Sequence, residues 1–175
     1  NISLGGTDKH KIGFGPLVSG VKHAKYNDIS SVESLISNKT AAIIIEPVQG
    51  EAGVYEVNQA FLKSLRELCD ENGTLLIMDE VQSGVGRMGY LFGYMKYDIE
   101  PDILTSAKGL GGGMPIGATL TKNNIAPSLS TGTHGSTFGG NTIACAVSNK
   151  VLQIVSDPAF LNEVKQKEKF MMSAL

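Results

Sequence analysis

The sequence predicts an α/β fold built on a mostly parallel central sheet. Three observations carry that expectation. An apolar run (41–45), a stretch with helical apolar spacing (58–72) and a second apolar run (74–79) follow one another. That strand–helix–strand order makes a parallel pair joined by a right-handed crossover. The second run, Thr74-Leu75-Leu76-Ile77-Met78, ends abruptly in Asp79-Glu80-Val81-Gln82, the look of a strand buried on both faces. A third run, Ile103 to Ser106, leads into Lys108, and four of the next five residues are glycine. Ligands of open α/β sheets gather at the carboxyl ends of strands, where Asp79 and Lys108 would stand.

Taken in order, residues 1–16 are polar and glycine-rich and read as an exposed loop. Residues 28–37 read as a short helix capped by an Asp or Ser. The run 41–45 is expected as a buried strand, stopped by Glu46-Pro47. In 58–72 the residues Phe61, Leu62, Leu65, Leu68 and Cys69 share one helical face, and Gly73 suits the C-terminal cap. Short strands are expected at 103–106 and 118–121, on either side of the lysine loop. A helix is expected at 142–156, followed by another opened by Asp157 as cap and Pro158 in the first turn.

Composition bounds the function. With 42% hydrophobic and 18% charged residues over 175 positions, the chain has the balance of an ordinary globular domain. A formal charge of −2 gives no reason to expect nucleic acid or an anionic membrane as partner. Cys69 and Cys145 lie far apart without metal-type spacing, and reduced, buried thiols in a cytoplasmic protein are the expectation. No metal site is expected.

Lysine among glycines suits a residue that bonds covalently to a bulky flat cofactor, because backbone lacking Cβ atoms lets that cofactor approach. A solvated lysine in a glycine-rich turn has the same local look. Pyridoxal phosphate needs a lysine for covalent attachment and an anion to keep its ring nitrogen protonated, which Lys108 and Asp79 would supply. Gly84-Val85-Gly86-Arg87-Met88-Gly89 fits G-x-G-x-x-G, but four residues separate it from its strand and no helical stripe follows. A dinucleotide-binding domain is therefore the out-of-class alternative and is set aside.

Four motifs, in order, resemble the class III pyridoxal-phosphate aminotransferases, and their acetylornithine branch most. They are Glu46-Pro47-Val48-Gln49-Gly50-Glu51-Ala52-Gly53, Asp79-Glu80-Val81-Gln82-Ser83-Gly84, Ala107-Lys108-Gly109-Leu110-Gly111-Gly112-Gly113 and His134-Gly135-Ser136-Thr137-Phe138-Gly139-Gly140-Asn141. The resemblance implies a three-layer α/β/α, fold type I large domain, with 1–175 an internal fragment of a longer chain. It implies pyridoxal 5′-phosphate as cofactor and transfer of the terminal amino group of N-acetylornithine to 2-oxoglutarate, a step of arginine biosynthesis. Ornithine, succinyldiaminopimelate or 4-aminobutyrate aminotransferase, or an aminomutase, are the alternatives within the family.

Residue by residue, the resemblance implies Lys108 for covalent attachment and proton transfer, and Asp79 for the pyridinium nitrogen. Val81 would lie against the ring face, and Gln82 would bond the phenolic oxygen. Glu51 matches a glutamate of the substrate pocket. Thr137, with Ser136 as the weaker candidate, would reach the cofactor phosphate held by the partner of a homodimer with shared active sites. Glu46 and Gln49 are expected to hold their loop, Glu80 to be buried or to support its neighbours, and His134 to be structural.

Overall fold

The computed structural model describes residues 2–175. Asn1, the first residue of the expected opening loop, lies outside them. The rest of that loop is largely exposed and carries two short 3-10 turns, Ile2–Leu4 and Asp8–Lys11. Helix α1 (Ile29–Glu33) starts where Asp28 accepts a hydrogen bond from the Ser31 N–H. Strands β1 (Ala42–Ile45), β2 (Val48–Gln49) and β3 (Tyr55–Glu56) follow, then helix α2 (Gln59–Asn72). Asn58 caps α2 through the N–H groups of Ala60 and Phe61, and Gly73 ends it in the left-handed conformation at φ 62°. Strands β4 (Leu75–Asp79), β5 (Ile103–Ser106) and β6 (Ala118–Thr121) and helices α3 (Thr142–Val155) and α4 (Pro158–Ala174) complete the chain. Asp157 caps α4, with Pro158 in its first turn as expected.

The main sheet runs β1-β4-β5-β6. β1, β4 and β5 are parallel, and β6 returns antiparallel beside β5, making a mixed, mostly parallel sheet with helices. The core forms where α2 covers one face: Phe61, Leu62, Leu65 and Cys69 pack with Leu76, Met78, Val57 and Tyr97. Burial of each such aliphatic side chain is worth roughly 1.5–3 kcal/mol.

Burial departs from the sequence reading at the strands. Only alternate residues of β4, Leu76 and Met78, are fully buried, and its other face is half-buried. β1 lies at the sheet edge rather than in the interior, and Ile44 is 39% exposed. One face of β4 meets α2, so the period-2 pleat sends its remaining side chains to the side that α2 does not reach. Cys69 is buried as expected, but Cys145 is only half-buried.

An ionic brace joins α2, β4, β5 and β6. Asp102 accepts from Arg66 Nη1 at 2.8 Å, from the Leu76 N–H at 2.8 Å and from Lys122 Nζ at 3.1 Å. Burial pushes the Asp102 carboxyl up, but these three donors outweigh it and hold the group below the usual 3.8. Its contribution to stability is thus fully present above 3.8 and is lost as the pH falls through the lowered value. Asp102→Ala would leave the Leu76 N–H without its acceptor and Arg66 with Asp70 as its carboxylate partner, and its expected cost in urea unfolding is about 1–3 kcal/mol. A cost under about 1 kcal/mol, the range of exposed pairs, would show that the brace is peripheral.

Candidate functional site

Parallel pairing aligns the carboxyl ends of three strands. Ile45 pairs with Met78, and Asp79 with Thr105. Glu46, Asp79 and the Ala107-Lys108 step therefore leave the sheet along the same edge, the location that α/β sheets use for ligands.

Lys108 opens a 3-10 turn, Lys108–Gly111, with φ 45°. A non-glycine residue in the left-handed region costs roughly 1–2 kcal/mol, and such strain concentrates at functional sites. The turn is held from below: Leu110 is buried, and α3 packs so closely that a Cβ on Gly112 would lie 2.8 Å from Val151 Cγ2. Gly112 also has φ 53°, so both backbone angle and space require glycine there. Lys108 itself is exposed and makes no hydrogen bond or ion pair among the described residues.

Lys108 and Gln82 line one cleft of about 650 Å³, with Gly50, Val85, Gly109 and Arg87 among the other walls. Asp79 is half-buried at the end of β4, and its Oδ1 accepts from the Val81 N–H at 3.0 Å, which fixes the turn that carries Val81 and Gln82. Gln82 Nε2 donates to Glu51 Oε1 at 2.9 Å. Burial pushes the Glu46 carboxyl up, Asp79 and Glu51 push it further, and Lys108 opposes them. Those four groups therefore share one electrostatic neighbourhood.

Of the residues singled out from sequence, Lys108 and Gln82 line this cleft; Glu51 is bonded to Gln82, and Asp79 holds the turn that carries Val81 and Gln82. Ser136 and Thr137 are not among its walls; they lie in an exposed loop that ends in a turn at 137–140. His134 is exposed as well, 3.4 Å from the Thr133 hydroxyl. Glu46, expected from sequence to hold its loop, also lies within electrostatic reach of Lys108 and Asp79. The signal was there, since Glu46 directly follows β1 as Asp79 ends β4. Glu80 is fully buried and accepts from Ser83 Oγ at 2.8 Å, Gly93 N at 2.8 Å and Tyr94 N at 2.7 Å. It ties both ends of the 83–94 loop to the end of β4. Burial pushes its carboxyl up, against the pull of those donors. Residues 84–89 form consecutive turns and open no helix, so the dinucleotide geometry is not met.

Known proteins converge on the same assignment. The family description "Aminotransferase class-III" matches residues 1–175, and the chain belongs to that family. A succinylornithine transaminase/acetylornithine aminotransferase of Pseudomonas aeruginosa is 51% identical over 174 residues, 99% of this chain and 43% of that protein. The chain thus spans less than half the length of that curated relative. Among solved structures, an ornithine aminotransferase from Toxoplasma gondii ME49 superposes with TM-score 0.86 at 38% identity, over 91% of this chain and 38% of that one. An N-acetylornithine aminotransferase from Stenotrophomonas maltophilia K279a gives TM-score 0.76 at 38% identity, over 85% of this chain and 38% of that one. Class III aminotransferases depend on pyridoxal phosphate. No helix among the described residues is long and apolar enough to cross a membrane.

Proposed function

We propose that this chain forms the cofactor-binding part of a pyridoxal-phosphate aminotransferase that moves the terminal amino group of N-acetylornithine to 2-oxoglutarate. The observation that carries the proposal is that Lys108 and Gln82 line one cleft, with Glu51 bonded to Gln82 and Asp79 holding the turn that carries Gln82. The residues fit the cofactor. An unpaired ammonium group and an amide line a cleft whose size falls within the usual ligand range of about 300–1,000 Å³, and a strand-end carboxylate anchors the adjoining turn. Thr105 Oγ1 and Ser106 Oγ, just before Lys108, are buried without a hydrogen-bond partner among the described residues. N-succinylornithine is the second reading for the donor, favoured by the 51% identity to the succinylornithine transaminase/acetylornithine aminotransferase of Pseudomonas aeruginosa.

When bound, the cofactor withdraws electrons from the substrate carbon that bears the amine. Lys108 Nζ would hold the cofactor covalently and, once the substrate amine has displaced it, the freed amine would take the proton from that carbon and return it. Asp79 would keep the ring nitrogen protonated. Val81 would pack against the ring, Gln82 would donate to the phenolic oxygen, and Glu51 would border the substrate. Full-length protein incubated with pyridoxal phosphate is expected to show a visible band that borohydride bleaches, leaving the reduced cofactor on the peptide containing Lys108. Label on another lysine, or no band, would refute the assignment.

Thr137 and Ser136 belong to the same proposal as donors to the cofactor phosphate of a partner subunit in a cytoplasmic homodimer. Their exposure, away from the cleft of their own chain, supports that reading. A hydrogen bond to a charged acceptor is worth roughly 1.5–3 kcal/mol, or about tenfold to a hundredfold in cofactor affinity. Thr137→Ala is expected to weaken cofactor retention to that extent, and Thr137→Ser much less. Mixing Thr137→Ala subunits with Lys108→Ala subunits puts both lesions in one site of a heterodimer, so activity at limiting cofactor should return. Heterodimers without recovered activity would assign Thr137 to its own subunit.

A further inference from the structure

The geometry points to Glu51 as a positioning residue for Gln82, with Gly50 as the opening that admits the contact; the inference rests on the cofactor reading above. Gln82 Nε2 donates to Glu51 Oε1 at 2.9 Å across 31 residues of sequence. A carboxylate only accepts hydrogen bonds, so ionised Glu51 decides which end of the amide faces it. The amide oxygen is turned onto Gly50, where an added Cβ would lie 1.2 Å from Gln82 Oε1 and 2.3 Å from Cδ. The amide thus occupies the space that a side chain at position 50 would fill.

This seat has a chemical consequence. One Nε2 hydrogen goes to Glu51, and the second is left to donate into the cleft that Gln82 and Lys108 both line. The last torsion of glutamine is broad and roughly two-fold. Released from Glu51, the amide would present its oxygen as readily as its N–H. Toward an anionic cofactor oxygen only the N–H attracts. Glu51 therefore acts on the cofactor through Gln82.

The test uses the full-length enzyme loaded with pyridoxal phosphate and follows the pH midpoint of its visible band. A hydrogen bond donated to the anionic oxygen lowers proton affinity at the conjugated, lysine-linked nitrogen, so losing it raises the midpoint. The expected rise for Gln82→Ala is about one pH unit, equivalent to about 1.4 kcal/mol. Glu51→Ala and Gly50→Ala are each expected to give a rise of similar size. The double variant Glu51→Ala/Gln82→Ala should shift no further than Gln82→Ala alone, as for residues acting through one another. Glu51→Asp, which keeps the carboxylate, should recover part of the shift. Gly50→Ala is the selective probe: Gly50 is outside the left-handed region, and the nearest atoms to an added Cβ all belong to the Gln82 side chain. Its methyl group should displace the amide and leave the fold intact.

A midpoint that moves in Gln82→Ala but not in the Glu51 and Gly50 variants would overturn the positioning role and leave the cofactor reading standing. An unmoved midpoint in Gln82→Ala would overturn it too. A wild-type protein that forms no band with pyridoxal phosphate would remove the cofactor reading itself.

Discussion

Lys108→Ala in the full-length enzyme is expected to abolish turnover while some noncovalent cofactor binding remains. Under the proposed function the variant removes both the covalent anchor and the group that moves the proton. A positioned acid–base side chain alone contributes about 10²–10⁴-fold, so the combined loss should exceed about a thousandfold. The substitution is a clean one in structural terms. Lys108 has an exposed side chain without hydrogen bonds among the described residues, and its left-handed backbone at φ 45° is as strained for alanine as for lysine. Thermal unfolding should therefore be unchanged, and a lost activity cannot be assigned to a lost fold. An exogenous primary amine should restore part of the rate by standing in for Nζ. Activity within tenfold of wild type would remove Lys108 from the chemistry and take the proposed function with it.

Asp79→Asn is expected to lower turnover by about a thousandfold. An ion pair at about 4 Å in an effective dielectric of about 20 is worth roughly 4 kcal/mol before solvation costs. That is about a thousandfold in rate if the pair acts only in the transition state. Asparagine keeps the Oδ1 acceptor that holds the Val81 N–H at 3.0 Å, so the turn after β4 should survive and only the charge is lost. Comparing Asp79→Asn with Asp79→Ala separates the two roles: the alanine variant should also loosen the turn and lower thermal stability. A loss under tenfold for Asp79→Asn would show that Asp79 is not the partner of the ring nitrogen.

Much of this was legible in the residue order. The helical spacing of Phe61, Leu62, Leu65 and Cys69 specified the buried face of α2, and Asn58, Gly73, Asp28 and Asp157 marked helix ends through bonds made within a few residues. Residue order put Asp79 and Lys108 at the ends of two apolar runs, and the parallel pairing of β4 with β5 brings those ends to one edge. Burial was less legible. The apolar run of β1 reads as interior, yet the strand lies at the sheet edge with Ile44 39% exposed, since which face a helix covers depends on the path of the whole chain.

Glycine spacing alone left the role of residues 84–89 ambiguous until their turns were seen. Glu80 gave no role in sequence, for its three donors sit on a loop that returns only after Gly93. The sequence by itself determined the four strands of the main sheet, helix ends at Asp28, Gly73 and Asp157, and the placing of Asp79 and Lys108 just where two apolar runs end. These follow from periodicity and local hydrogen bonding, which act over a few positions. Only the tertiary structure decided that Glu46 joins the charges around Lys108, that Asp102 braces four elements, and that Gln82 rests on Gly50 against Glu51. Each of these contacts joins residues about 20 to 60 positions apart, and such contacts form only when loops of particular length fold back over the sheet.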